Sequence, residues 1–286
     1  MWLAISTIPI NMKVTIHIPH PALQAYVLSI LTVDATLPLG ITEAVTPYPP
    51  SPFQSLIFYC RDAVSMGRAD SDSFEKQPLI VFNGPQISRV NVKVHEQLRS
   101  IRVDLLPGAL YRILGIPMHE LADGGFDARD FFDLEMKAVQ EQLQNISGLE
   151  EGKSIVEAFL LKRIDRFQQA LPFDAAIQSL LQSTGLLSVE QTASLSCLSL
   201  KQFERKCKER IGMNPKLYAR ILKFSKAYRL REALPHLTWT NIAHEAGYFD
   251  QMHMIRDFKN FAGVNPSVIE QQLRATPLRM QKDMRL

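Results

Sequence analysis

The sequence predicts an α+β protein: a strand-rich N-terminal domain, a helical linker, and an all-α C-terminal domain with two helix-turn-helix units joined by a long helix. Three observations lead there. Several runs in the first half alternate apolar and polar residues with period two, the period of a half-buried strand. From Leu134 the apolar residues recur at helical spacing. Near the C-terminus one phrase is written twice, "KCKERIGMNP" (Lys206 to Pro215) and "DFKNFAGVNP" (Asp257 to Pro266). Gly212, Asn214 and Pro215 fall on Gly263, Asn265 and Pro266 at an offset of 51, as Arg205 falls on Arg256 and Lys208 on Lys259. The expected divisions are a strand-rich sensor domain over 1–133, a helical linker over 134–172 and a double helix-turn-helix domain over 173–286.

In the first domain Val14, Ile16 and Ile18 alternate with Thr15 and His17; Val90, Val92 and Val94 with Asn91 and Lys93; Ile101, Val103 and Leu105 with Arg102 and Asp104. "FQSLIFYC" (Phe53 to Cys60) and "PLIVF" (Pro78 to Phe82) add two strand candidates. The segment "TPYPPSP" (Thr46 to Pro52) is expected to separate strands, because proline has no N–H to give a ladder. "LLPGALYRILGIP" predicts one short helix, begun near Pro107 and stopped by Gly115 and Pro117. The acidic stretch Glu120 to Asp133 lacks calcium-loop spacing and is expected to be a solvated loop. His17, His20, His95 and His119 have no metal-pair geometry, and neither a phosphate-cradling loop nor a nucleophile elbow is present. No catalytic residue, metal site or cofactor is expected.

In the linker Leu134, Val139, Leu143 and Ile146 are expected to share one helix face. A second helix is expected after Gly152, with Ile155, Phe159, Ile164 and Phe167 on its apolar side and its end at Leu171-Pro172. Packing against its own domain is the expected use of this face, with a dimer surface as the alternative.

Each copy of the repeat predicts a helix, a turn, a second helix and a closing G-x-N-P. Capping boxes start the two helices of copy one at Ser188 and Ser199. In copy two, Thr238 or Thr240 and then Asp250 take those places, and Gly247 supplies a left-handed turn residue. Val189, Leu195, Leu198 and Phe203 are the expected core of copy one; Ile242, Tyr248, Met254 and Phe258 that of copy two. Between the copies, Leu217, Ile221, Phe224 and Tyr228 mark one face of a helix begun by Pro215. A helix of that length spans about 28 Å. Adjacent major-groove turns on one face of DNA lie about 34 Å apart, so such a rod can present two reading helices to one duplex.

Charge agrees. Residues 174–286 hold 17 Lys/Arg and 10 Asp/Glu, a net of +7; residues 1–173 hold 15 and 19, a net of −4. A basic C-terminal third suits a polyanion. The second helix of copy one carries Lys201, Arg205, Lys206, Lys208 and Arg210. With Phe203 and Cys207 inward, Lys201 and Arg205 face out, beside Gln202. In copy two, with Met254 and Phe258 inward, Gln251 and Arg256 face out, with His253 nearby. Arginine pairs bidentately with guanine and glutamine with adenine, whereas Lys208 and Lys259 are placed for phosphates.

At these residues the sequence resembles the AraC/XylS family of bacterial transcription regulators. The run "AHEAGYFDQMHMIRDFKNFAGVNP" (Ala243 to Pro266) is close to that family's second-copy signature, with Met254 and Asn265 as departures. "LSLKQFERKCKERIGMNPKLYARILKF" resembles its first copy, with Lys201 and Cys207 as departures and Cys197 at a turn position where glycine is common. "PHPALQAYV", "NGPQ" and "LLPGALYRILGIPMHEL" resemble an N-terminal domain of unknown function found ahead of this branch. The resemblance implies a cytoplasmic, sequence-specific regulator of transcription that binds double-stranded DNA and is no enzyme. As further partners it admits RNA polymerase, a small-molecule effector and a second copy of the chain. Two alternatives compete. One is a DNA-targeted enzyme such as an alkyl-acceptor repair protein, with Cys60 activated by Arg61; the other is a non-specific architectural binder. No apolar run is long enough for a membrane span, and the N-terminal "MWLAISTIPINMK" lacks the basic flank of a signal peptide.

Overall fold

A computed structural model describes residues 11–268; the first ten residues of the N-terminal run weighed as a leader and the chain beyond Val268 lie outside the described residues. Ten strands and nine α-helices follow one another among them. The strands are β1 (Asn11–His17), β2 (Val27–Thr36), β3 (Glu43–Tyr48), β4 (Ser55–Tyr59), β5 (Ser65–Arg68), β6 (Glu75–Lys76), β7 (Ile80–Asn83), β8 (Val90–His95), β9 (Gln97–Leu105) and β10 (Gly125–Asp127). The helices are α1 (Ala109–Leu114), α2 (Arg129–Gln144), α3 (Leu149–Arg163), α4 (Pro172–Gln182), α5 (Val189–Leu195), α6 (Leu200–Ile211), α7 (Pro215–Ala233), α8 (Trp239–Glu245) and α9 (Gln251–Ala262).

The strands form two antiparallel sheets, one ordered β1-β2-β9-β4-β7-β10 and one β3-β8-β5-β6. Alternation along the central strands sorts their side chains into two cores. On one side of the larger sheet, Ile30, Leu56, Phe58, Ile101 and Val103 pack against Met136, Val139, Val156 and Phe159 of α2 and α3. On the other side, Ile57, Tyr59 and Val81 meet Val92 and Val94 of the smaller sheet. The result is three layers: sheet, sheet, helix pair.

Several expectations need correction. β9 is buried on both faces, because Arg102 and Asp104 point between the sheets and pair with each other at 2.6 Å. The proline-rich segment does not simply separate strands. Its first three residues end β3, with Pro47 opposite Asn91, and β3 is an edge strand, where a missing N–H faces outward at little cost. The acidic stretch holds a 3-10 turn, β10 and the start of α2 rather than a loop alone. Leu134 and Ile18 are exposed; the buried stripe of α2 is Phe132, Met136, Val139 and Leu143. α3 begins at Leu149 and runs through Gly152, where the missing side chain lets Ile101 and Leu143 approach. It ends at Arg163, well before Leu171, and Pro172 instead opens α4 at the first helical position, where its missing N–H costs nothing. The helix face does pack on its own domain.

The C-terminal core gathers α4 to α9 around α7. Tyr218, Ile221, Leu222, Phe224, Ala227 and Tyr228 are all buried, so α7 is covered on more than the one expected face. Phe53, from the loop between β3 and β4, belongs to this same core.

Candidate nucleic-acid interface

The two helix-turn-helix units are α5–α6 and α8–α9. Their caps form as the sequence predicts. Ser188 and Ser199 make reciprocal capping boxes with Gln191 and Gln202, Thr238 accepts from the Asn241 N–H, and Asp250 accepts from the His253 N–H. The turns differ by one residue, 196–199 against 246–250. Both turn corners are left-handed: Gly247 at φ 81° and, in copy one, Cys197 at φ 56°. The second helix of each unit stops at a left-handed glycine, Gly212 or Gly263. The buried residues follow the expected pattern, Phe203 and Cys207 in α6, Met254 and Phe258 in α9. Leu195 is the exception, more than half exposed on the surface of α5 rather than in the core of its unit.

On α6, Lys201, Gln202, Arg205 and Lys208 are all exposed. Lys201, Arg205 and Lys208, spaced four and three, share a stripe. The Gln202 oxygen accepts from the Ser199 N–H at 3.0 Å, so its side chain is held against the helix start. Arg210 leaves the basic surface. It is buried, bonded to both Asp174 oxygens at 3.2 and 3.3 Å, and stacked over Tyr111 at 4.7 Å. Lys206 bonds Glu209 at 3.2 Å. Three of the five cations of this helix therefore face solvent unpaired by its own carboxylates.

On α9, His253, Arg256 and Lys259 are exposed, while Gln251 is half-buried and its oxygen accepts from Thr240 Oγ1 at 3.0 Å. The Asp250 carboxylate takes both the backbone N–H of His253 and its Nδ1, at 2.8 and 2.9 Å. These bonds hold the carboxyl below its usual range, the backbone N–H first, and they fix the imidazole beside the helix start. Phe249 and Met252, which the sequence reading passed over, are exposed at the same end, the Phe249 ring edge-on to His253. Their signal was an aromatic beside the cap of an otherwise polar surface.

The remaining candidates resolve simply. Cys60 is buried, and desolvation pushes its thiol up to about 11 in spite of Arg99 nearby, the opposite of activation. His17 Nε2 meets Thr32 Oγ1 at 3.1 Å. Among the described residues no cluster of His, Cys, Asp and Glu is fit to hold a metal, and no helix is long and apolar enough to cross a membrane. Between the two sheets lies a narrow cleft of about 60 Å³, lined by Tyr48, Phe53, Ile57, Tyr59, Met66 and Arg102 among others. At its floor Arg102 Nη1 donates to Tyr48 Oη at 2.7 Å.

Residues 192–272 match the family model of a helix-turn-helix domain, and residues 15–127 that of a domain of unknown function, DUF6597. No curated protein matches the chain. Among solved structures it is similar to ToxT of Vibrio cholerae O395 bound to (E)-4-(8-methylnaphthalen-1-yl)but-3-enoic acid, at 11% identity and a TM-score of 0.46 over 94% of this chain and 100% of that one. It is also similar to wild-type ToxT of Vibrio cholerae strain SCE256 bound to an unsaturated fatty acid, at 11% identity and 0.45 over 83% and 95%.

Proposed function

We propose that the chain is a DNA-binding transcription regulator of the AraC family, which reads two adjacent major-groove segments of one duplex, α6 in the first and α9 in the second. The observation that supports this most is the pairing of two capped reading helices, each with an exposed cationic stripe, across a 19-residue helix. That rod is about 28 Å long, close to the rise of one DNA turn. Arg205 and Arg256 contact bases, with Lys201, Gln202, Gln251 and His253 beside them, and Lys208 and Lys259 hold phosphates. A non-specific architectural binder would not need caps that fix Gln202 and His253 at the helix starts.

The division into residues 1–133, 134–172 and 173–286 stands as part of this proposal, with the second segment serving as the helical layer of the first. A small molecule in the inter-sheet cleft is the proposed input. The cleft is narrow, and its apolar walls with a few polar groups are of the kind that take a small organic molecule. The setting is the cytoplasm, and a second copy of the chain and RNA polymerase are the proposed protein partners. No step of this reading needs a catalytic group or cofactor.

The test is quantitative binding of the full chain to a selected site and to its single-base variants. Arg205→Ala is expected to relax base preference in one block only, and Arg256→Ala in the other. Equal loss over every sequence for both variants would make the two arginines phosphate contacts and overturn the assignment.

A further inference from the structure

Helix C-termini leave carbonyls without intrahelical partners. At the ends of the two reading helices these carbonyls meet the N-terminal domain. Gln54 Nε2 donates to the Ile211 oxygen at 3.4 Å. Arg89 Nη1 donates to the Ala262 oxygen at 2.9 Å. Ile211 and Ala262 are 51 residues apart, so they are the same position in the two copies, the last residue before the closing glycine. One loop, between β7 and β8, touches both glycines. Pro85 lies so close to Gly212 that a side chain there would collide with it, and Arg89 lies beside Gly263.

Other contacts strengthen the first grip. Tyr111 Oη donates to Glu209 at 2.8 Å, Tyr218 Oη donates to the Pro52 carbonyl at 3.4 Å, and Phe53 and Ile87 pack into the C-terminal core. At α9, Arg89 is half-buried, and a cation is the favourable charge at a helix C-terminus.

We infer that Gln54 and Arg89 are positioning residues for DNA reading: the N-terminal domain grips the equivalent C-terminal carbonyl of each reading helix and so fixes the spacing and angle between the two units. This rests on the reading of DNA by both units. The loops that grip are also walls of the inter-sheet cleft, since Ser51 and Phe53 line it from one and Gly84 and Gln86 from the other. The clamp therefore connects any occupant of that cleft to the geometry of both reading helices.

The test uses the full chain with Cys197→Gly, which removes the exposed thiol, and spin labels at the exposed positions Glu204→Cys on α6 and Asn260→Cys on α9. Without DNA, the distance between labels is expected to be one narrow distribution. Arg89→Met is expected to broaden it, and Arg89→Lys, which keeps the cation, to restore it in part. Binding is then measured on a selected two-block site and on each block alone. Arg89→Met is expected to leave single-block binding unchanged and to cut the gain from the second block by about tenfold, as expected when a linkage loses stiffness. If Arg89 only caps α9, Arg89→Met lowers the melting temperature while leaving the distance distribution and the two-block gain as they were, and the inference is wrong. Gln54→Met, nearly isosteric, gives the same readouts at α6. Absence of any sequence preference in the parent chain would count against the DNA reading, with the label distances still deciding the clamp.

Discussion

The two helix-turn-helix units share a plan and differ in what holds them. Unit one is tied by polar contacts and by the N-terminal domain: two serine capping boxes, the buried Arg210–Asp174 pair, and Tyr111 on Glu209. Unit two has the Arg220–Asp257 pair and the Arg89 grip as well, but its core is tied by rings. Phe258 meets Phe224 at 4.9 Å and Trp239 at 5.5 Å, at the place where unit one carries Cys207. One duplicated sequence has thus reached the same backbone by two kinds of packing. A core position tolerates such exchange when neighbouring volume compensates, and Phe173 against Phe203 supplies that volume in unit one.

The difference can be broken from either side. Asp174→Asn leaves Arg210 charged, buried and without its ion pair, and is expected to cost about 3–5 kcal/mol in chemical denaturation. Phe258→Ala is expected to cost a similar 3–5 kcal/mol by cavity formation, whereas Cys207→Ala at the equivalent site costs about 1 kcal/mol. Equal losses at Phe258 and Cys207 would deny the contrast between the units.

Smaller changes sharpen it. Arg256→Ala, at an arginine proposed to read a base, is expected to cost about 1–3 kcal/mol of binding at one base position, read by titration of single-base variants. Cys197→Gly relieves a left-handed residue that bears a side chain, and is expected to raise stability by about 1 kcal/mol. Gly247→Ala, the mirror change in unit two, is expected to destabilise, since φ is positive there and the new side chain would run into Leu186. Smallest of all, Lys208→Ala and Lys259→Ala should each lower the slope of log affinity against log salt by about one, with base preference kept.

What could be read in the sequence was what is local. The caps at Ser188, Ser199, Thr238 and Asp250, the closing glycines and the bounds of α7 depend on residues within a turn or two, and each formed as expected. The exposed faces of α6 and α9 followed from the same periodicity. Contacts between distant segments were not legible. β2, the longest strand, is buried on both faces along its middle and mixes polar with apolar residues on each, so it gives no alternation to detect. Arg102 and Asp104 read as the wet side of a strand because nothing local shows that a second sheet covers them. Arg210 read as one more surface cation because its partner lies 36 positions away. Arg89 carries no sequence signal at all; its importance appears only when its loop is seen beside Gly263.

One chain is proposed to read two groove segments in a fixed register. In-vitro selection of DNA sites by the full-length protein tests it most directly. Two contact blocks, separated by about 10–10.5 base pairs centre to centre, at constant spacing among the recovered sites, are expected. A single short block, or two blocks at freely varying spacing, would contradict it.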